Sequence, residues 1–137
     1  MIGSRMFSRR RLQIVIAVLG LIPVVTGLVG VIYGAGYIDA DHAAGGADLD
    51  TQIRFFSAIF LGLGLIFYST IPTIERDGGR FRLAAALTVM GGLGRLVSLS
   101  VVGLPAAGYV VGIVMELIVV PLLVIWQAVV ARRTDPL

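Results

Sequence analysis

Apolar residues fall in four long runs along this chain, separated by short stretches of charge, glycine and proline. The runs cover about Leu12–Gly34, Gln52–Ile71, Phe81–Val102 and Tyr109–Val130. Each is close to the roughly 20 residues an α-helix needs to cross a hydrocarbon core about 30 Å thick. A helix also satisfies its own backbone, which lipid cannot do. The pattern predicts an all-α protein, a four-transmembrane-helix antiparallel bundle. Little chain remains outside the runs, so residues 1–137 read as a single integral membrane domain.

Composition agrees: 58% hydrophobic and 14% charged residues are far from an ordinary soluble domain. There is no cysteine, which removes disulfides and thiolate chemistry. All eleven basic residues are arginine. They flank the runs and form no continuous basic stripe, so the net charge of +3 does not point to nucleic acid. Arg5, Arg9, Arg10 and Arg11 precede the first run, Arg76, Arg80 and Arg82 follow the second, and Arg132 and Arg133 follow the fourth. Four crossings put all nine on one side, while the first opposite connection carries Asp39, Asp41, Asp48 and Asp50. The positive-inside rule then places both termini in the cytoplasm. The basic start before Leu12–Gly20 also has the look of a signal peptide, but the apolar run continues to Gly34 without a small-x-small cleavage site, so a retained helix is expected. The same arginines can attract anionic lipid head groups.

Glycines suggest how the spans pack. Gly20, Gly27 and Gly34 recur at seven-residue spacing, and Gly30-x-x-x-Gly34 adds a close-packing motif. Such a face serves either a dimer or the inside of the chain's own bundle, and the second use is expected. Gly62, Gly64, Gly91, Gly92 and Gly94 are further packing candidates. The setting of Gly91-Gly92-Leu93-Gly94 inside an apolar run excludes a phosphate loop. Pro23 and Pro121 are expected to kink the first and last helices. The short connection at 103–108 makes the third and fourth helices antiparallel neighbours.

The chemically conspicuous residues are Arg95 and Glu116. Each lies seven residues from the outer end of its run, at Val102 and Tyr109. A rise of 1.5 Å per residue puts both roughly 10 Å deep. An acid and a base in lipid are costly unless they face protein, water or each other. Ser98 lies one turn from Arg95, and Tyr109, Gly112 and Glu116 share a helical face. Arg54, at the start of the second run, either snorkels outward or leans toward Glu116. These five positions, Arg54, Arg95, Ser98, Tyr109 and Glu116, form a polar cluster that is either a structural ion network or a ligand pocket.

Asp50 precedes the second run, where it is placed to cap that helix or to pair with Arg54. The 37–50 connection, with its carboxylates and His42, matches no metal-binding spacing, so a solvated acidic loop is expected and no metal or cofactor.

Several segments taken together resemble the DUF4345 family of small four-helix bacterial membrane proteins. They are Asp50-Thr51-Gln52-Ile53-Arg54-Phe55-Phe56, Gly91-Gly92-Leu93-Gly94-Arg95-Leu96-Val97-Ser98, Gly103, Pro105, and Glu116-Leu117 with Pro121. The resemblance covers nearly the whole chain. It implies four helices in the bacterial cytoplasmic (inner) membrane and directs attention to Arg54, Arg95 and Glu116, but carries no substrate or reaction. The expected function is a non-enzymatic lipid-binding or accessory protein, with membrane lipids, a homodimer or a larger membrane-protein complex as partners. The alternatives are a membrane-embedded enzyme with Glu116 as acid and base, and a component of a proton-coupled transporter.

Overall fold

A computed structural model of the chain describes residues 2–37 and 46–134. Everything regular in it is helical: α1 (Ile2–Leu19), α2 (Leu21–Tyr33), α3 (Gly46–Thr70), α4 (Gly78–Val102), α5 (Ala107–Val114) and α6 (Val120–Thr134). Short 3₁₀ turns follow α2 and α3, and a π turn, Met115–Val119, joins α5 to α6. Four helical stretches are long and apolar enough to cross a membrane: Ser8–Gly36, Gly46–Thr73, Gly78–Val102 and Ala107–Arg133. Asp39, Asp41 and His42 lie outside the described residues.

The described chain forms two compact units, Ile14–Ile71 and Met1–Gln13 with Pro72–Leu137. In the first, α2 and α3 run antiparallel at very close range. A β-carbon added at Gly27 would lie 2.6 Å from the Leu61 amide nitrogen, and one at Gly64 would lie 2.7 Å from a Val24 methyl. Gly30 has the Ser57 side chain against it in the same way. The expected internal use of these glycines is therefore what the structure shows. Close backbone approach is the main source of helix–helix attraction in lipid, where apolar burial adds little.

Pro23 has no N–H for the Leu19 carbonyl, and its ring crowds that oxygen. The helix is interrupted at Gly20 as a result, and the Tyr68 hydroxyl donates to the Ala17 carbonyl beside the break at 2.6 Å. At the other end of this hairpin α3 starts at Gly46, which corrects the expectation that Asp50 caps it. Asp50 lies one turn inside α3 and serves α2 instead. It accepts the Ala35 N–H at 2.9 Å and pairs with Arg54 at 2.7 Å. The Arg54 guanidinium in turn donates to the Val31 and Ile32 carbonyls. The last carbonyls of a helix need such donors, and a cation also suits the negative end of the helix dipole.

In the second unit α4 runs antiparallel to α5 and α6. Gly92 touches the π turn: a β-carbon there would lie 2.8 Å from Leu117 and 2.9 Å from Glu116. Phe81, Ala84, Ala85, Leu123 and Val130 are buried in this unit. The 71–77 connection is pinned from several directions. The Thr73 hydroxyl donates to the Asp77 carboxylate, and Arg80 pairs with Asp77 at 3.0 Å. Gln127, fully buried, donates to the Ile74 carbonyl at 2.9 Å. Arg9 donates to the Pro72 carbonyl at 2.7 Å and pairs with Glu75 at 2.9 Å, and Trp126 donates to Ser8 at 3.4 Å. The start of α1, the start of α4 and the end of α6 thus meet at one arginine-rich end.

Candidate functional site

Glu116 occupies the π turn of the last span, and the local sequence accounts for that placement. In an unbroken α-helix Pro121 would face the Leu117 carbonyl with no N–H to give it. Here the helix widens just before the proline, and the Val120 N–H reaches back five residues to the Met115 carbonyl. Turns of this kind insert one residue into a helix and recur at functional sites. The widened turn lies against α4 where Gly92 leaves room for the Glu116 and Leu117 side chains.

Arg95 comes from α4, one turn beyond Gly92 toward the connection. Its Nε lies 3.2 Å from Oε2 of Glu116. Its guanidinium carbon lies 5.8 Å from the centre of the Tyr109 ring. Between these two contacts the guanidinium passes over Gly112, where a β-carbon would lie 3.4 Å from Nη1. The cation thus rests along the Tyr109–Gly112–Glu116 face, on an aromatic ring at one end and a carboxylate at the other. Each contact is attractive in a medium of low dielectric.

The two partners are unequally covered. The Glu116 side chain is only 8% exposed, whereas that of Arg95 is 37% exposed. Their contact is an ion pair without an aligned hydrogen bond, so Oε2 of Glu116 is buried with no donor pointing at it. An arginine has five N–H groups in a planar fork suited to bidentate anions. Among the described residues none of those of Arg95 is aligned with an acceptor. The Coulombic part of the pair is in place; its hydrogen-bonding capacity is unspent.

Of the other expected positions, Tyr109 belongs to this cluster and Ser98 stands exposed one turn along α4 from Arg95. Arg54 does not supply a free cation: its polar groups are taken up by Asp50 and the end of α2 within its own hairpin. Sequence reasoning missed the π turn, whose nearest signal was Pro121 five residues after Glu116. It also missed the Arg9–Glu75 and Gln127–Ile74 links, which depend on tertiary contact and leave no local pattern.

The family profile for a domain of unknown function, DUF4345, matches residues 11–127. That range contains all five polar positions named above and both helical hairpins up to the middle of α6. No curated protein and no solved structure matches the chain.

Proposed function

The chain belongs to the DUF4345 family, and we propose that it is a non-enzymatic membrane protein that holds an amphipathic molecule through Arg95. One observation carries this reading: a partly exposed guanidinium inside a membrane-length hairpin, with no acceptor aligned to its N–H groups. An anionic head group supplies such acceptors, and charge-assisted bonds to arginine are among the stronger polar contacts. Leu87 and Met90, exposed on α4 toward the middle of the span from Arg95, offer apolar surface for a tail. Arg54 is left out of the site, because its donors already serve α2.

The setting we favour is the bacterial cytoplasmic membrane with both termini inside, which leaves Arg95 in the outer half of the bilayer. The arginines gathered at the opposite end of this hairpin support that orientation. An accessory-subunit reading draws support from Gly91 and Gly94, where an added β-carbon meets nothing within 4 Å and a further helix has room to approach.

Native mass spectrometry after gentle extraction tests the proposal, comparing wild type with Arg95→Gln and Glu116→Gln. A recurring small adduct that disappears in Arg95→Gln, with helicity retained, supports binding at this site. An adduct indifferent to Arg95 sinks it, and a protein-sized adduct supports the accessory reading instead.

A further inference from the structure

Resting on that reading, the unspent bonding capacity of the site narrows the class of molecule it takes. Arg95 is the only cation in contact with Glu116 among the described residues. If Arg95 turns its N–H fork toward an anionic head group, Glu116 loses its counter-ion while still buried. An uncompensated buried carboxylate is strongly unfavourable, and a second negative charge brought alongside makes it worse. A purely anionic ligand therefore satisfies one half of the site at the expense of the other.

A ligand carrying its own cation removes the conflict, provided the cation also donates hydrogen bonds. Oε2 of Glu116 is more than an exposed charge: it is a buried acceptor with no donor. A quaternary ammonium supplies charge but no N–H. A hydroxyl supplies a donor but no charge. A protonated primary amine supplies both.

We infer that the site takes a zwitterionic phospholipid head of the ethanolamine type, its phosphate on Arg95 and its primary ammonium on Glu116. The charges then alternate from Arg95 to phosphate to ammonium to Glu116, and sum to zero within the membrane. The short spacer between phosphate and amine suits two protein groups that already touch. Glycine at 112 leaves the underside of the Arg95 guanidinium without a covering side chain. From Arg95 to the end of α4 at Val102 is about 10 Å by helical rise. The arginine side chain and the ethanolamine spacer share that distance, the guanidinium reaching outward while the ammonium reaches inward to Glu116.

The test uses the full-length protein in mixed micelles containing equal amounts of phosphatidylethanolamine, phosphatidylcholine and phosphatidylglycerol with identical acyl chains. Native mass spectrometry reads the lipid that stays bound. Wild type should retain phosphatidylethanolamine over each of the others by about tenfold, the factor one charge-assisted hydrogen bond supplies. Glu116→Gln should bring the ethanolamine-to-choline ratio close to one, and Arg95→Gln should remove specific retention of all three. Equal retention of ethanolamine and choline lipids by wild type overturns the role of the primary amine, and preference for phosphatidylglycerol overturns the zwitterion. In either case loss on Arg95→Gln would leave Arg95 binding intact. Retention indifferent to Arg95 overturns the underlying reading. The wild-type comparison among three lipids needs no variant to fold.

Discussion

Gly27 and Gly62 lie in the same hairpin, yet one added methyl group should affect them in opposite directions. At Gly62 a β-carbon meets nothing within 4 Å, so alanine there gains only helix propensity. That gain is about 0.5–1 kcal/mol. At Gly27 the new carbon would lie 2.6 Å from the Leu61 nitrogen and 2.8 Å from its α-carbon. Those are main-chain atoms, so no rotamer change relieves the clash and α3 itself has to move. Overpacking of this kind costs typically about 1–3 kcal/mol. Moving a helix as a rod also opens the neighbouring contact between Gly64 and Val24, which favours the upper half of that range. After the propensity gain, Gly27→Ala should lose about 1–2 kcal/mol, leaving the two variants roughly 2–3 kcal/mol apart. Reversible unfolding in mixed micelles by SDS titration, followed by far-ultraviolet circular dichroism, measures the difference. Equal stabilities, or a larger loss at Gly62, would refute the claim that backbone contact at Gly27 holds this hairpin together.

Three further outcomes follow from the polar contacts. Gln127→Ala leaves the Ile74 carbonyl without its donor and should cost about 1–3 kcal/mol, with faster amide exchange across residues 72–77 as the local signature. Arg54→Gln removes the cation from the α2 carbonyls and from Asp50, so exchange should rise at residues 31–36 while α4 is unaffected; unchanged protection there would deny Arg54 its capping role. Because the chain has no cysteine, single cysteines at Ser8 and Gly108 can report orientation. An impermeant maleimide should label Gly108→Cys in intact cells and Ser8→Cys only after permeabilisation, and the reverse would invert the topology.

The helices were legible because a membrane span is set by length and apolarity, and both are printed in the sequence. The meeting of Arg95 with Glu116 was legible for a related reason: constant helical rise converts residue count into depth, and a short connection forces the two helices to be neighbours. Other features needed the third dimension. Gly92 packs tightly while Gly91 and Gly94 stand open, a distinction fixed by rotation of α4 about its axis. Arg54 was grouped with the polar site by nearness to a span end, yet it is committed to α2 because the chain turns there through Gly34 at a φ of 56°. Of the two roles open to Asp50, pairing with Arg54 is the one the structure shows; capping is not, because α3 extends past it through residues 46–49. The π turn is the hardest case. A period of 3.6 places Glu116 within a helix equally well with or without the extra residue, and only Pro121 hints at the difference.

Photocrosslinking reads whether an amphiphile is held at Arg95. A photoreactive residue at Ser98, exposed one turn from Arg95, samples molecules held by that guanidinium, whereas the same probe at exposed Val97 is turned about 100° around the helix toward bulk lipid. A phosphate-bearing lipid adduct is expected at position 98 and lost when Arg95 becomes Gln, while the adduct at position 97 persists. An adduct at 98 that is absent in wild type, or that survives Arg95→Gln unchanged, would contradict binding at Arg95.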